Sequence, residues 1–423
     1  MRIIFVCLLF AFVSANAENV LLKADGFIDV RTGELIKPAE ILIRDGRIAE
    51  INGDAQMDEA TVVDLPGKIL LPGLMDMHVH LDLDFEEANF GIVVTESGSE
   101  GALRGAKNAE LTLMAGFTTV RNVGQVHPTV DLVDVALARA SSEGWIKAPR
   151  IIPAGHMISI LGGHGDLSMA EGLSEGMLEL GPESGVVSGV DDAIMATRFQ
   201  IKHGAKVIKI HATAGVMSLE DSVGLQQLSD EEMRAIIEEA RRHEIPVAAH
   251  AHGTDGIKAA IRAGVSSIEH GSILDDEAIR MMKKNGVFLV PTNGLMDLIN
   301  FDKLDPRKRA KAEYVDPLAD NSLVAAIEAG VKVAIGTDAP LIPHGMNAYE
   351  IVKMTERGMS PLEAIQAATI VAAELARIEE LGELREGWHA DIIGVDTNPL
   401  EDISSLQSVD FVMKAGNIFK NED

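Results

Sequence analysis

"LPGLMDMHVHLD", residues 71–82, decides how this chain is read. A single residue, Val79, separates His78 from His80 at the end of an apolar run. Alternate side chains of a β-strand share a face, so the two imidazoles point the same way. Two imidazoles so placed can chelate one ion, but two ligands do not make a metal site, and the rest must come from elsewhere in the chain.

Outward from that stretch, strand-like and helix-like segments alternate. Eight short β-like runs occur in order: "LMDMHVH", "FTTVRNV", "RIIPAGH", "AKVIKIHA", "IPVAAHA", "VSSIEHG", "VFLVPTN" and "VKVAIGTDA". Helical stretches such as "SDEEMRAIIEEARRHE" and "DDEAIRMMKKNG" separate most of them, with an acidic first turn and basic residues later. Eight β/α units within residues 73–378 predict an α/β fold, a (β/α)8 TIM barrel. The competing doubly wound open sheet is disfavoured because no Gly-rich phosphate loop follows any run. Residues 18–72 and 379–423 instead alternate apolar and polar positions, with "DG" twice as a turn signal, and predict one small β-sandwich domain shared by both chain ends.

In such barrels the C-terminal strand ends build the active site. His78 and His80 end the first run, Lys209 lies in the fourth, His250 ends the fifth, His270 the sixth and Asp338 the eighth. Alone, either later histidine reads as a hydrogen-bonded core residue and Asp338 as a helix cap. Lys209 is harder to dismiss, because a lysine within an apolar strand is rarely buried without a partner. Convergence from five strands favours a metal site.

The bulk composition narrows the function. A net charge of −28 argues against nucleic acid and anionic membranes as partners. The N-terminus, "MRIIFVCLLFAFVSANAENV", has the layout of a signal peptide over residues 1–17, cleaved after Ala17, and its apolar stretch is too short to span a bilayer. An exported, periplasmic enzyme is therefore expected. The only cysteine, Cys7, falls inside that leader, so the mature chain would have neither disulfides nor thiol catalysis.

"LPGLMDMHVHLD", "VIKIHATAG", "VAAHAHG", "IEHG" and "GTDAP" resemble, in order, the five ligand stations of the amidohydrolase superfamily. "GFTTVRNVG" and "GGHGD" are similar to its imidazolonepropionase-like and prolidase-type (Xaa-Pro, Xaa-Xaa) dipeptidase branch. The resemblance implies two divalent metal ions, usually zinc, bridged by a hydroxide and by a lysine carbamylated with carbon dioxide. His78, His80 and Asp338 would then hold the first ion, His250 and His270 the second, and Lys209 would bridge both. Desolvation lowers the pKa of a buried lysine, and the neutral amine can capture carbon dioxide. The implied reaction is attack of the hydroxide on the peptide bond of a dipeptide, a small-molecule substrate, with Asp338 moving the proton.

Further contacts follow from position. His252, on the same strand face as His250, would polarise the carbonyl or merely hydrogen-bond. His164, in the Gly-rich loop "ISILGGHGDLSMAEGL", and His344, in "LIPHGMNAYE", are expected to touch substrate. Arg121 would bind a substrate carboxylate or form a salt bridge in the barrel mouth. Residues 292–317 are long enough to form a lid, their basic cluster "RKRAK" facing solvent. A cyclic amide, lactone or phosphotriester is the alternative substrate. A mononuclear deaminase is disfavoured because Gly253 stands where those enzymes carry a glutamate, and a non-catalytic binding protein because no ligand position is lost. The sequence leaves a homo-oligomer open.

Overall fold

Asp45 and Gly46 both have positive φ, as a two-residue hairpin turn demands, and they begin the sheet built from the chain ends. The computed structural model describes residues 19–53, 60–84, 95–169, 173–174, 176–218 and 222–422; the leader expected over residues 1–17 lies outside them. The first strands are β1 (Asn19–Asp29), β2 (Glu34–Ile36), β3 (Ala39–Arg44), β4 (Arg47–Ile51) and β5 (Ala60–Pro72). The "DG" at 45–46 makes the β3–β4 turn as expected. The other, Asp25-Gly26, does not turn the chain. It lies inside β1 where the pairing with β5 shifts register, and a Cβ on Gly26 would meet the Ile36 carbonyl oxygen at 2.7 Å.

The barrel follows: β6 (Leu74–Val79), β7 (Phe117–Asn122), β8 (Arg150–Pro153), short strands β9 (Ser159–Ile160) and β10 (Val186–Val187) flanking the loop after β8, then β11 (Ile208–His211), β12 (Val247–Ala251), β13 (Ser267–His270) and β14 (Phe288–Val290). Neighbouring barrel strands pair in parallel. The eighth run, 331–339, joins through bridges Leu289–Val333 and Val79–Ala339, while Ile158–Ile210 links the two halves, so the cylinder closes in the predicted order. Gly336 permits the last closure: a Cβ there would meet Val290 Cγ1 at 2.3 Å and His78 Cβ at 2.7 Å.

Both quoted helices form, and their ends show why. Ser229 and Glu232 make a capping box ahead of helix Asp230–Arg242. Asp275 caps Asp276–Asn285, which ends on left-handed Gly286. Their apolar faces, including Met233, Ile236 and Ile279, pack against the barrel core with Ile208 and Ile210. Truncating one such isoleucine to alanine would cost about 2–5 kcal/mol.

The chain then returns to the first sheet through β15 (Ile392–Val395), β16 (Phe411–Lys414) and β17 (Asn417–Asn421), in the order β17-β16-β15-β5-β1-β3-β4 with β2 on β1. Leu22, Phe27, Ile41, Leu70, Ile392 and Phe411 from both ends form its separate core. Among the described residues no helix is long and apolar enough to cross a membrane.

Candidate active site and metal centre

The period-two alternation at the end of β6 turns His78 and His80 toward Asp338, near the end of the eighth run. Both Nε2 atoms lie 3.3 Å from the same oxygen, Asp338 Oδ1. The buried Asp76 carboxylate ties the two segments together, accepting from the backbone N–H of His78 and Thr337, from Thr337 Oγ1 at 2.6 Å and from Asn347 Nδ2 at 2.7 Å. Lys209, 1 % exposed on β11, places Nζ 3.4 Å from His78 Nε2.

The far side of each imidazole is anchored. His78 Nδ1 donates to Glu269 Oε2 at 2.9 Å and His80 Nδ1 to the Gly124 carbonyl at 2.7 Å. An acceptor on Nδ1 fixes that nitrogen as the protonated one and leaves Nε2 as a lone-pair donor, the arrangement metal-ligating histidines need. Thr292 Oγ1 pairs with His270 Nδ1 and Ser272 Oγ with His252 Nδ1, each at 2.8 Å.

Three groups have candidate ligand atoms all within 4.8 Å of one another: His78 with His80 and Asp338, His250 with His252 and His270, and His164 with His211 and His250. The six residues expected as ligands thus converge on one barrel end. His270, Thr292 and Asp338 also adopt left-handed backbone with φ of 68°, 53° and 54°. Such conformations cost a non-glycine residue roughly 1–3 kcal/mol and persist where the surroundings enforce them.

Electrostatics match the geometry. Burial lowers the Lys209 amine from 10.5 to about 8, against the opposing pull of Glu269 and Asp338. Burial alone would raise the Asp338 carboxyl, but His78 and His80 outweigh it and hold it well below the usual carboxylate range. Burial and the nearby His164 lower His252 to about 3, so it is neutral at physiological pH.

A cavity of about 910 Å³ opens above these residues, lined by His164 and His252 and by Met157, Val216, Leu295, Met296 and Ile299. Two expected contacts are corrected. Arg121, 2 % exposed, does not line the cavity; its guanidinium lies inside the barrel, donating to the Met77 carbonyl, Ser267 Oγ and Glu269 Oε1. Of its two predicted roles the salt bridge is the one realised, below the mouth instead of in it. His344 is buried beneath the loop after β6, with Nε2 donating to the Leu83 carbonyl, and is likewise absent from the cavity lining.

The solvent-facing reading of "RKRAK" holds for Arg307 and Arg309 and is corrected for the two lysines. Lys308 is buried and lines the cavity. Lys311 donates to the carbonyls of Gly215 at 2.9 Å and Ser218 at 2.7 Å, fastening helix Pro306–Ala329 to the loop after β11. Two residues escaped the sequence reading. Glu269 bridges His78 and Arg121. His211, two positions after Lys209, was visible by the same strand parity that identified His80.

The Amidohydrolase family model matches residues 69–419. The ochratoxinase of Aspergillus niger is 35 % identical over 434 residues, covering 96 % of this chain and 88 % of the relative. The crystal structure of a Xaa-Pro dipeptidase with methionine bound in its active site superposes with a TM-score of 0.89 at 37 % identity, covering 95 % of this chain and 100 % of the other. A prolidase complexed with N-methylphosphonate-L-proline gives 0.86 at 32 % identity, covering 96 % and 100 %.

Proposed function

Because this chain belongs to the amidohydrolase family and is a hydrolase of amide bonds, we propose that it is a binuclear metal enzyme cleaving dipeptides or closely similar N-acyl amino acids. The observation that carries the reading is Lys209 Nζ, buried 3.4 Å from His78 Nε2 beside Asp338, with the His250–His252–His270 group at the same barrel end. The donors suit two borderline ions such as zinc: imidazoles with inward nitrogens, an ionised carboxylate, and a lysine whose neutral amine could add carbon dioxide and give up a proton to become an anionic carbamate ligand.

Bound ions would supply Lewis acidity for the scissile carbonyl and lower the pKa of the attacking water. The rest of the chemistry belongs to the chain. Asp338, held ionised by its histidine neighbours, accepts the proton of the attacking water and delivers it to the leaving nitrogen. Neutral His252, oriented by Ser272, hydrogen-bonds the substrate at the carbonyl. Lys308 replaces Arg121 as the cation for the substrate carboxylate, because it lines the cavity and Arg121 does not. His164 closes the other side from the loop after β9. The leader-like N-terminus fits an exported enzyme that takes peptides from outside the cytoplasm.

Cavity size supports a second substrate. At about 910 Å³ with many aliphatic and Met side chains, it lies near the upper end of small-molecule sites. That volume favours an amino acid carrying a bulky aromatic acyl group. Incubating the zinc- and bicarbonate-loaded protein with a dipeptide library and with N-aroyl amino acids, then measuring released amino acid, tests the reading. Cleavage of either set supports amide hydrolysis and ranks the substrates. Inertness toward both, with two ions bound per chain, would transfer the assignment to a cyclic amide, lactone or phosphotriester.

A further inference from the structure

Seven histidines line the cavity, His78, His80, His164, His211, His250, His252 and His270, and a two-ion centre of the proposed kind uses four. We infer that His164, His211 and His250 form a site for one further divalent cation beside that centre. The inference goes beyond the proposed hydrolysis and shares only His250 with its two-ion centre.

The first support is unpaired polarity. His78, His80, His252 and His270 each have Nδ1 hydrogen-bonded. His211 breaks this pattern: it is 4 % exposed and its Nδ1 has no hydrogen-bond partner. His250, also 4 % exposed, has an unpartnered Nε2. Buried nitrogens in that state are rare and call for a ligand.

The second support is placement. Lys209 and His211 share one face of β11, and His211 pairs in register with His250 on the adjacent strand. His164 reaches over from the loop after β9. Ring centroids are 5.0 Å apart for His164–His211, 4.4 Å for His164–His250 and 5.0 Å for His211–His250, and one nitrogen from each falls within the 4.8 Å group. Ser218 Oγ, 2.6 Å from His164 Nδ1, orients that ring. Tetrahedral ligands at about 2.1 Å from an ion are roughly 3.4 Å apart, so the rings need close by no more than about an ångström and a half, and the His164 loop is the element able to supply it.

Chemistry selects the ion. Three imidazoles and no carboxylate suit zinc, copper or nickel over calcium or magnesium, and leave a fourth position open to water or substrate. His250 would offer one ring nitrogen to this ion and the other to the two-ion centre as an imidazolate, its ring proton passing to solvent as the ion binds. Because His164 lies against the substrate cavity, filling the site would also obstruct substrate, giving inhibition by excess zinc.

The test is zinc stoichiometry of the full-length protein, measured by elemental mass spectrometry across increasing buffered free zinc. The wild-type chain should bind three zinc ions, the third at higher free zinc than the first two. His211→Leu should stop at two, and so should His164→Asn, which changes a loop residue and keeps the inference testable if the strand variant does not fold. Saturation of the wild type at two ions would overturn the inference and leave the two-ion proposal standing. Binding of no zinc would overturn both, and three ions in either variant would overturn this site alone.

Discussion

Glu269 is fully buried and takes Arg121 on Oε1 at 2.8 Å and His78 Nδ1 on Oε2 at 2.9 Å. Its burial would raise the carboxyl, but the Arg121 charge and the His78 hydrogen bond reverse this and lower it from 4.5 to about 2. A depressed acid stabilises the fold above its ordinary pKa, and loses that contribution as pH falls through the depressed value. A shift of that size corresponds to about 3 kcal/mol at neutral pH. Stranding a buried cation by deleting its partner costs a similar 3–5 kcal/mol or so. Glu269→Gln should therefore lower the melting temperature by roughly 3–6 °C, taking about 2.1 cal/mol/K of unfolding entropy per residue.

The same substitution weakens the anchor that fixes the His78 tautomer, and zinc affinity should fall about 10- to 100-fold. Adding Arg121→Met separates the two effects. Removal of the stranded guanidinium should recover most of the melting temperature and none of the zinc affinity. Calorimetric melts and competitive zinc titration of the single and double variants decide the matter. Wild-type zinc affinity in Glu269→Gln, or its recovery in the double variant, would show that Glu269 only neutralises Arg121 and has no part in orienting His78.

Three further outcomes are expected. Lys209→Ala should bind neither ion of the two-ion centre and lose hydrolysis while its circular dichroism stays native; full activity would sink the bridged centre. Asp338→Asn should retain part of its metal and, by losing the proton acceptor, turn over about 10²- to 10⁴-fold more slowly in single-turnover assays. Burial raises Glu350 from 4.5 to about 7. Its contribution to stability is complete below pH 4.5 and disappears as pH rises through 7, a loss of about 3 kcal/mol at the alkaline end. Urea unfolding of Glu350→Gln at pH 5 and pH 8.5 should show a flatter pH dependence than the wild type.

The barrel was legible because eight short apolar runs alternate with helical stretches, and because strand parity alone aligns His78 with His80. Depth was not legible. Arg121 read as a residue of the barrel mouth, but only the closed cylinder shows that it lies below the mouth, within reach of Ser267 and Glu269. Lys311 of "RKRAK" read as part of a solvated face because its partners, the carbonyls of Gly215 and Ser218, are 93 to 96 residues away. Asp25-Gly26 carries the same dipeptide as the true turn at 45–46, and its fate as a bulge depends on how β1 pairs with β5.

The strained backbone places the site where the fold can support it. His270 ends β13, Thr292 follows β14 and Asp338 lies near the end of the eighth run, all in left-handed conformations, and each is secured by bonds that originate elsewhere. Thr292 Oγ1 pairs with His270, the Asp338 N–H donates to the His78 carbonyl, and Asp76 grips Thr337 beside it. Those bonds cross from the sixth strand to the seventh and from the first to the eighth. Closure of the barrel and positioning of the ligands are therefore one structural event: a chain that fails to seat its eighth strand against His78 through Gly336 also fails to present Asp338. A Cβ at Gly336 should accordingly abolish metal binding even though position 336 touches no ion, because it pushes apart the two strands whose ends supply His78, His80 and Asp338.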